Sequence, residues 1–163
     1  FWEVANYREA YGIHACSGIL SNHESPLRSE RFVTQKVVAA ACRIAAGLAD
    51  HVELGDLSIA RDWGWSPEYV DAMHRMLQQS QADDYVVATG ATYTLRDFVA
   101  AVFREVGLDW QQHVRSNPQL RRPTDIRISR LDPGKARSTL GWTATLKMPD
   151  VAREMVIAWK KRH

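Results

Sequence analysis

The stretch GILSNHESP, residues 18–26, changes abruptly from apolar to polar. Its first half continues an apolar run that begins at Ile13, and a short run of this kind indicates a buried β-strand. Four different hydrogen-bonding side chains follow at once, those of Asn22, His23, Glu24 and Ser25. Because open α/β sheets bind ligands at the carboxyl ends of their strands, the stretch predicts a strand followed by a binding loop. The alternative is an ordinary loop whose amide and hydroxyl satisfy the backbone while the imidazole and carboxylate face water.

On both sides of this stretch, helix and strand patterns alternate along the chain. Residues 1–12 have a helical apolar face that ends at Gly12, and residues 31–48 form a long helix pattern that ends at Gly47. Short strands are predicted for HVELG, LSIARDW and DYVVATG, and residues 22–30 are predicted to be a polar loop. This alternation predicts an α/β or α+β unit.

Two later helices carry start signals in the sequence. SPEYVDAMHRMLQQ begins with Ser66, a predicted N-cap, and has Pro67 at the first helical position. TLRDFVAAVFREVG places Thr94 and Asp97 at the spacing of a capping box. The stretches DPGKARSTLGW and MPDVAREMVIAWKK predict one short and one long helix, whereas residues 109–123 are predicted to be irregular.

The overall composition narrows the class of protein. The 163 residues are 45% hydrophobic and carry a formal net charge of +2, with acidic and basic residues interspersed, so there is no basic stripe for nucleic acid. The sequence shows no signal peptide and no apolar run long enough to span a bilayer, so a cytoplasmic protein with no membrane partner is expected. Cys16 and Cys42 lie in apolar runs, which favours buried free thiols over a disulfide or a zinc site.

The sequence ARDWGW, residues 60–65, has two interpretations. Its arginine, Arg61, precedes a predicted helix N-terminus and is suited to a bidentate contact with a phosphate. Alternatively, Arg61 and Asp62 form a surface arrangement while Trp63 and Trp65 pack in the core.

Two other stretches leave the same choice open. In LRRPTDIRI, Arg122 and Asp125 are spaced so that the arginine can hold a phosphate and the carboxylate a ribose or base edge. A solvated turn of mixed charge is the alternative there. Lys36 lies on the helix that follows the polar loop and can reach the same cleft, although a lone helical lysine is usually solvated.

Common catalytic and metal-binding motifs are absent from the sequence. It contains no GxGxxG, HExxH, paired CxxC or GxSxG, and no tyrosine is followed four residues later by lysine. No catalytic residue and no metal ligand are therefore predicted. The residues indicate binding chemistry without a reaction centre.

Six stretches point to one family. In chain order they are NYREAYG, GILSNHESP, FVTQK, LGDLSIARDWGW, YVVATG and DPGKARSTLGW. Together they resemble the carboxyl-terminal half of GDP-mannose 4,6-dehydratases, members of the extended short-chain dehydrogenase/reductase superfamily. The resemblance implies an α/β fold with two parts. Residues 1–21 are the end of an NAD(P)-binding Rossmann-like sheet, and residues 22–163 are mainly the smaller α/β domain that binds the sugar nucleotide.

The resemblance also implies an activity for the parent protein. The family oxidises the C4 hydroxyl of GDP-mannose with tightly bound NADP, eliminates water across C5 and C6, and returns the hydride to C6. The product is GDP-4-dehydro-6-deoxy-D-mannose, a precursor of GDP-fucose. The family's catalytic Tyr-x-x-x-Lys pair lies just upstream on the helix that contains NYREAYG, so this chain is expected to begin after that pair and to be inactive alone.

Site residues follow from the resemblance, position by position. The residues that match NADP contacts are His23 and Arg28. The residues that match contacts to the sugar nucleotide are Asn22, Lys36, Arg61, Arg122 and Asp125. Asp125 stands where the family usually has a glutamate, whose side chain is one methylene longer.

The resemblance further implies a homo-oligomer, either a dimer or a tetramer. Self-association is expected through the helix face and strand edge of residues 1–21. A hypothesis of a different class also stays open, namely a truncated, non-catalytic module that uses the same scaffold for partner binding or self-association.

Overall fold

Helices and strands alternate through residues 1–120 and 124–163, the part of the chain that the computed structural model describes. The helices are α1 (Trp2–Tyr11), α2 (Val33–Ala45), α3 (Ser66–Leu77), α4 (Leu95–Glu105), α5 (Trp110–His113), α6 (Gly134–Leu140) and α7 (Met148–Arg162). The strands are β1 (Ser17–Leu20), β2 (Asn22–Glu24), β3 (Val52–Leu54), β4 (Ala60–Arg61), β5 (Trp63–Trp65), β6 (Asp84–Val87), β7 (Tyr93–Thr94) and β8 (Val114–Ser116). A 3-10 helix covers Pro118–Leu120.

The strands of the described residues pair two by two. β1 pairs with β6, β2 with β5 and β3 with β8, all in parallel, whereas β4 and β7 are antiparallel. Ser17 lies opposite Asp84 and Leu20 opposite Val87, so β1 and β6 end at the same edge. Parallel neighbours require a long crossover connection, and α2 and α3 lie within the crossover between β1 and β6.

Two apolar clusters hold these elements together. The larger lies where α2, α4 and α7 pack against one another, and its most deeply buried residues include Val37, Val38, Trp63, Phe98, Val102, Phe103 and Val151. The smaller lies between α3, α6 and β6 and includes Tyr69, Ala72, Tyr85, Ala136 and Trp142. Burial of such side chains is worth about 1.5–3 kcal/mol each. The two clusters therefore fix the helices on which the polar residues described below are carried.

The predicted helix starts are confirmed in part. The capping box is present, because the Asp97 N–H donates to Thr94 Oγ1 at 3.1 Å and the Asp97 carboxylate accepts the Thr94 N–H at 2.9 Å. Pro67 lies in the first turn of α3 but one position later than predicted, because Ser66, the predicted N-cap, is the first helical residue. Strand β5 runs directly into α3, so Trp65 occupies the capping position and no side chain caps the helix.

Three further predictions need correction. Residues 22–24 form β2 and are not a loop, because they pair with β5. Residues 109–123 are not wholly irregular, because within the described part α5 is followed by β8, which pairs with β3. Cys42 is buried as expected, whereas Cys16 is only half-buried, with its Sγ 3.7 Å from the Met76 carbonyl oxygen. Both cysteines are free thiols.

Candidate functional site

The polar stretch begins where β1 ends, at the edge of the parallel pair that favours ligands in open α/β sheets. Its three residues in β2 differ in exposure: Asn22 is exposed, His23 is half-buried and Glu24 is fully buried. The alternative in which both the imidazole and the carboxylate face water is therefore wrong for Glu24. β2 pairs with β5 in parallel, and exposure falls along the strand from Asn22 to Glu24.

His23 is held in one orientation by two contacts. Its Nδ1 lies 2.9 Å from the carbonyl oxygen of Ser21, and because a carbonyl only accepts, Nδ1 carries the proton. Its ring stacks on the ring of Tyr69, with centroids 5.1 Å apart and planes 25° apart. The Nε2 atom has no partner among the described residues. The imidazole thus presents one acceptor in a fixed direction.

Asp62 is the centre of a buried hydrogen-bond group that we call the Asp62 cluster: Ser21, Asp62, Tyr69, Thr89 and Gly90. The carboxylate is 1% exposed. Its Oδ1 accepts from the Ser21 hydroxyl at 3.0 Å and from the Thr89 N–H at 3.1 Å, and its Oδ2 accepts from the Gly90 N–H at 2.8 Å. Since the Ser21 hydrogen goes to the carboxylate, the Tyr69 hydroxyl, 2.5 Å away, donates to Ser21 Oγ. The cluster ties together the carboxyl ends of β1 and β6.

Burial keeps the phenol of Tyr69, in the Asp62 cluster, protonated. The pKa of Tyr69 is raised well above its ordinary value, chiefly because burial disfavours the phenolate, while the hydrogen bond with Ser21 acts in the opposite direction. Tyr69 is therefore a neutral hydrogen-bond donor over the whole physiological range of pH.

Glu24 and Arg28 form a second group beside the first, in which the carboxylate is fully buried and the arginine is half-buried. Glu24 Oε2 accepts from the Thr34 hydroxyl at 2.7 Å and lies 3.0 Å from Arg28 Nε, whereas Glu24 Oε1 has no hydrogen-bond partner among the described residues. Burial raises the pKa of Glu24, although Thr34 and Arg28 act to lower it. Arg28 Nη1 donates to the His23 carbonyl at 3.2 Å, and its guanidinium lies 4.0 Å from the ring centre of Phe32. The structure thus brings both residues predicted to contact NADP together.

Arg61 and Asp125 are also brought together, in an ion pair with each other. Arg61 Nη2 lies 2.7 Å from Asp125 Oδ1. Arg61 Nη1 donates to the carbonyl oxygens of Ala60 at 2.9 Å and Ile126 at 2.5 Å. The alternative of a surface arrangement with Asp62 is wrong, because that carboxylate is buried and its oxygens serve the Asp62 cluster.

The remaining predicted residues lie apart or outside the described chain. Lys36 is half-buried on α2 and donates to the Glu53 carbonyl at 2.7 Å, so its ammonium is tied to β3. Arg122 lies outside the described residues.

Within the described ranges no group of three or more His, Cys, Asp or Glu is arranged to hold a metal ion. None of the helices in those ranges is long and apolar enough to cross a membrane.

The sequence did not reveal Asp62, Ser21 and Tyr69 as a group. A usable signal is present, because an acidic residue lies between the apolar Ile59–Ala60 and Trp63 in a stretch predicted to be a strand. A carboxylate in such a position is buried only when it is hydrogen-bonded. Its donors are far away in the sequence, however, and only the fold identifies them.

The family model described as GDP-mannose 4,6 dehydratase matches residues 1–155. The chain belongs to this family. The resemblance drawn from the six sequence stretches is therefore confirmed.

Curated relatives agree with the family assignment. The chain is 45% identical over 155 residues to GDP-mannose 4,6 dehydratase 1 of Arabidopsis thaliana, which covers 95% of this chain and 43% of that protein. It is 43% identical over 172 residues to GDP-mannose 4,6 dehydratase 2 of Caenorhabditis elegans, with 96% of this chain and 45% of that protein covered. The chain therefore spans less than half the length of these relatives.

Solved structures with the same fold include dehydratases and epimerases. RMD from Pseudomonas aeruginosa complexed with NADPH has a TM-score of 0.88 at 20% identity and covers 99% of this chain and 54% of that chain. A dTDP-glucose 4,6-dehydratase from Bacillus anthracis in complex with NAD has a TM-score of 0.83 at 15% identity, covering 98% and 49%. These similarities confirm the predicted fold class, an α/β unit with the end of a Rossmann-like sheet and a smaller α/β part.

Proposed function

We propose that this chain supplies the sugar-nucleotide-binding part of an NADP-dependent GDP-mannose 4,6-dehydratase. In this proposal the whole protein is a lyase that converts GDP-mannose to GDP-4-dehydro-6-deoxy-D-mannose. The observation that carries the proposal is the family match over residues 1–155. Residues 1–21 belong to the cofactor-binding sheet and residues 22–163 mainly to the sugar-nucleotide domain. The protein acts as a dimer or tetramer.

The residues proposed to contact the cofactor fit a dinucleotide. NADP, when bound, supplies the hydride-transfer chemistry. His23 offers a free Nε2 acceptor whose direction is set by Ser21 and Tyr69. Arg28 Nε forms an ion pair with Glu24 Oε2 at 3.0 Å without a hydrogen bond, and Nη1 donates to the His23 carbonyl, which leaves the Nη2 hydrogens for a phosphate. The buried carboxylate of Glu24 thus positions Arg28 while leaving some of its N–H groups available to a phosphate.

The residues proposed to contact the sugar nucleotide differ in how free they are. Asn22 is exposed, and its side-chain amide has no partner among the described residues. Arg61 keeps its Nε hydrogen and one Nη2 hydrogen beyond those used for Asp125 and two carbonyls. The proposed roles are a sugar contact for Asn22, a diphosphate contact for Arg61, and contacts to the GDP portion for Lys36, Arg122 and Asp125.

Nucleotide binding tests this part of the proposal. By titration calorimetry we expect binding of GDP and GDP-mannose in preference to UDP-glucose. Arg61→Ala should weaken GDP binding roughly 10- to 100-fold, since charge-assisted hydrogen bonds are worth about 1.5–3 kcal/mol each. Arg122→Lys should be nearly as harmful as Arg122→Ala, because lysine has no planar fork.

Two further variants show whether the loss of GDP binding in Arg61→Ala comes from the contact made by Arg61 itself. The double variant Arg61→Ala/Asp125→Ala removes the ion pair without leaving an unpaired carboxylate, and because it also removes a proposed GDP contact it should bind at least as weakly as Arg61→Ala. Arg104→Ala, on the exposed face of α4, is the matched control and should bind normally. Absence of GDP binding at millimolar concentration, or equal binding of UDP-glucose, would favour the non-catalytic module.

Turnover tests the catalytic part of the proposal. The 163 residues contain no Tyr-x-x-x-Lys motif, and a positioned acid–base group typically contributes about 10²- to 10⁴-fold in rate. We therefore expect the whole protein, but not these residues alone, to form the 4-dehydro-6-deoxy product when NADP is supplied. Product formation is measured by chromatography and mass spectrometry against a buffer control. Product formation by these 163 residues alone would contradict the proposal that they supply nucleotide binding and not catalysis.

A further inference from the structure

An open cleft of about 550 Å³ lies beyond the carboxyl end of β6. The described residues that line it include Thr89, Gly90, Arg130, Asp132, Arg137 and Lys147. Among the described residues, none that lines the cleft is one of the proposed cofactor or sugar-nucleotide contacts. A ligand bound there would use described residues that the function proposed above does not use.

The charges in this cleft are mostly positive and largely unused. The side chains of Arg130 and Arg137 form no ion pair or hydrogen bond with any described residue. Lys147 Nζ donates to the carbonyl oxygens of Thr89 at 2.7 Å and Ala144 at 3.1 Å, which leaves it one free hydrogen. The carboxylate of Asp132 accepts the Gly134 N–H at 2.9 Å. Three cations and one carboxylate leave an excess of two positive charges.

The walls of the cleft are fixed before any ligand arrives. The Asp62 cluster holds the backbone N–H groups of Thr89 and Gly90. Lys147 is pinned by two carbonyls, and the buried indole of Trp142 donates to the Glu68 carbonyl at 2.9 Å. This order lowers the entropy cost of binding for Lys147 and the backbone walls, whereas the exposed side chains of Arg130 and Arg137 become ordered only when a ligand binds.

We propose that this cleft binds the phosphate or diphosphate group of a small phosphorylated compound. Arg130 and Arg137 present planar guanidinium forks, which match phosphate oxygens, and Lys147 adds a point charge. A phosphate monoester carries a charge near −2 at neutral pH, which balances the excess charge of the cleft. The cleft volume lies within the range of about 300–1,000 Å³ that small-molecule sites occupy, so it also has space for the group attached to the phosphate.

The proposal is tested by titrating the full chain with inorganic pyrophosphate. The reporter is the indole N–H signal of Trp142 in protein labelled with ¹⁵N-tryptophan, assigned by its loss in Trp142→Phe. We expect a saturable shift of that signal. Arg130→Ala and Arg137→Ala should each raise the dissociation constant by about tenfold or more. Calorimetry with the same variants gives a second measurement that does not depend on the assignment.

Control variants separate this site from general electrostatics and from the proposed substrate site. Arg153→Ala removes an exposed arginine of α7 that pairs with Asp150, and it should leave pyrophosphate binding unchanged. Arg61→Ala should also leave the Trp142 shift unchanged while it weakens GDP binding. The proposal is overturned by the absence of a saturable shift, by an equal shift with sodium chloride at the same ionic strength, or by equal losses in Arg137→Ala and Arg153→Ala.

Discussion

At the scale of single residues, Asp62 has the largest number of distant partners of any carboxylate described above. Its donors come from the ends of β1 and β6, at Ser21, Thr89 and Gly90. Asp62→Asn replaces one accepting oxygen with an NH₂ group that faces a donor. We expect the free energy of unfolding to fall by about 1–3 kcal/mol, the cost of leaving a buried polar group unsatisfied. Urea unfolding measures this change.

The control for this prediction lies on the surface of α3. Asp71 is about half exposed and, among the described residues, pairs with Arg75 alone, one helical turn away. Asp71→Asn should change the free energy of unfolding by less than about 0.5 kcal/mol, because exposed pairs contribute little. Equal effects of Asp62→Asn and Asp71→Asn would contradict the proposed importance of the buried cluster.

The pH dependence of stability is predicted to carry a contribution from Glu24. Burial raises its pKa above the ordinary value of 4.5, so the folded state binds this proton more tightly than the unfolded chain does. The contribution of Glu24 therefore falls as pH rises from 4.5 through its folded pKa, and it is constant above that value.

Removing the titrating group makes this contribution measurable. Relative to wild type, Glu24→Gln should lose less stability between about pH 4.5 and neutral pH, as measured by urea unfolding at several pH values. The exposed Glu3 on α1 supplies the control, since Glu3→Gln should keep the wild-type profile. Parallel profiles for wild type and Glu24→Gln would contradict the prediction.

The sequence indicates which side chains are suited to binding. It indicates less readily which of those side chains are buried. The sequence predicts Asn22 and His23 in a loop directly after a strand; they do follow β1 directly, but they lie in a second strand, β2. Glu24 and Asp62 were given exposed alternatives, because a charged residue is rarely buried unless it has partners. The donors to Asp62 lie 41 and 27 residues away along the chain. No local pattern in the sequence reports contacts over such separations.

At the scale of secondary-structure elements, two helix starts that look alike in the sequence are predicted to differ in energy. Thr94 accepts a hydrogen bond from the Asp97 N–H and caps α4, whereas the Ser66 side chain makes no capping bond in α3. Thr94→Ala should lower the free energy of unfolding by about 1 kcal/mol. Ser66→Ala should leave it nearly unchanged. Thermal or urea unfolding of both variants distinguishes the two starts, and equal losses would contradict the assignment.

The approach of β5 to α3 depends on a glycine. A Cβ atom placed on Gly64 would overlap the ring of Tyr69, which stacks on His23. Gly64→Ala should therefore destabilise the protein by about 1–3 kcal/mol and disturb the ring stack, which the chemical shifts of His23 report. At Gly18 an added Cβ would meet its nearest neighbour, Leu20 Cδ2, at 3.4 Å, so Gly18→Ala is the milder control. A Gly64→Ala variant as stable as Gly18→Ala would contradict this close approach.

At the scale of the whole molecule, α1 is attached by polar contacts. It has no buried residue, and Arg8 reaches from it to Asp84, with Nη2 and Oδ1 2.5 Å apart. Burial acts to raise the pKa of Asp84, but hydrogen bonds from Arg8 and Ser17 outweigh it and hold the pKa below the ordinary value. The stabilisation by this carboxylate is therefore present above its unfolded pKa and is lost as pH falls through its folded pKa.

Loss of this attachment should be visible in the motion of α1. In Asp84→Asn, hydrogen–deuterium exchange of the backbone amides of Trp2–Tyr11 should become faster, while α4 and α7 keep their protection. Asp71→Asn again serves as the control and should leave α1 unchanged. Unaltered exchange in Asp84→Asn would show that other contacts hold the helix.

The shared dependence of two strand ends, those of β1 and β6, on the carboxylate of Asp62 also limits how this protein can be recombined with its relatives. Ser21 and the Thr89–Gly90 turn lie on opposite sides of Asp62 in the sequence, yet both bind it. A chimera with a crossover between residues 21 and 62, or between residues 62 and 89, combines the carboxylate of one parent with the donors of another. Such crossovers are expected to succeed only between parents that agree at these positions. Crossovers that leave residues 21–90 intact inherit the whole network from a single parent.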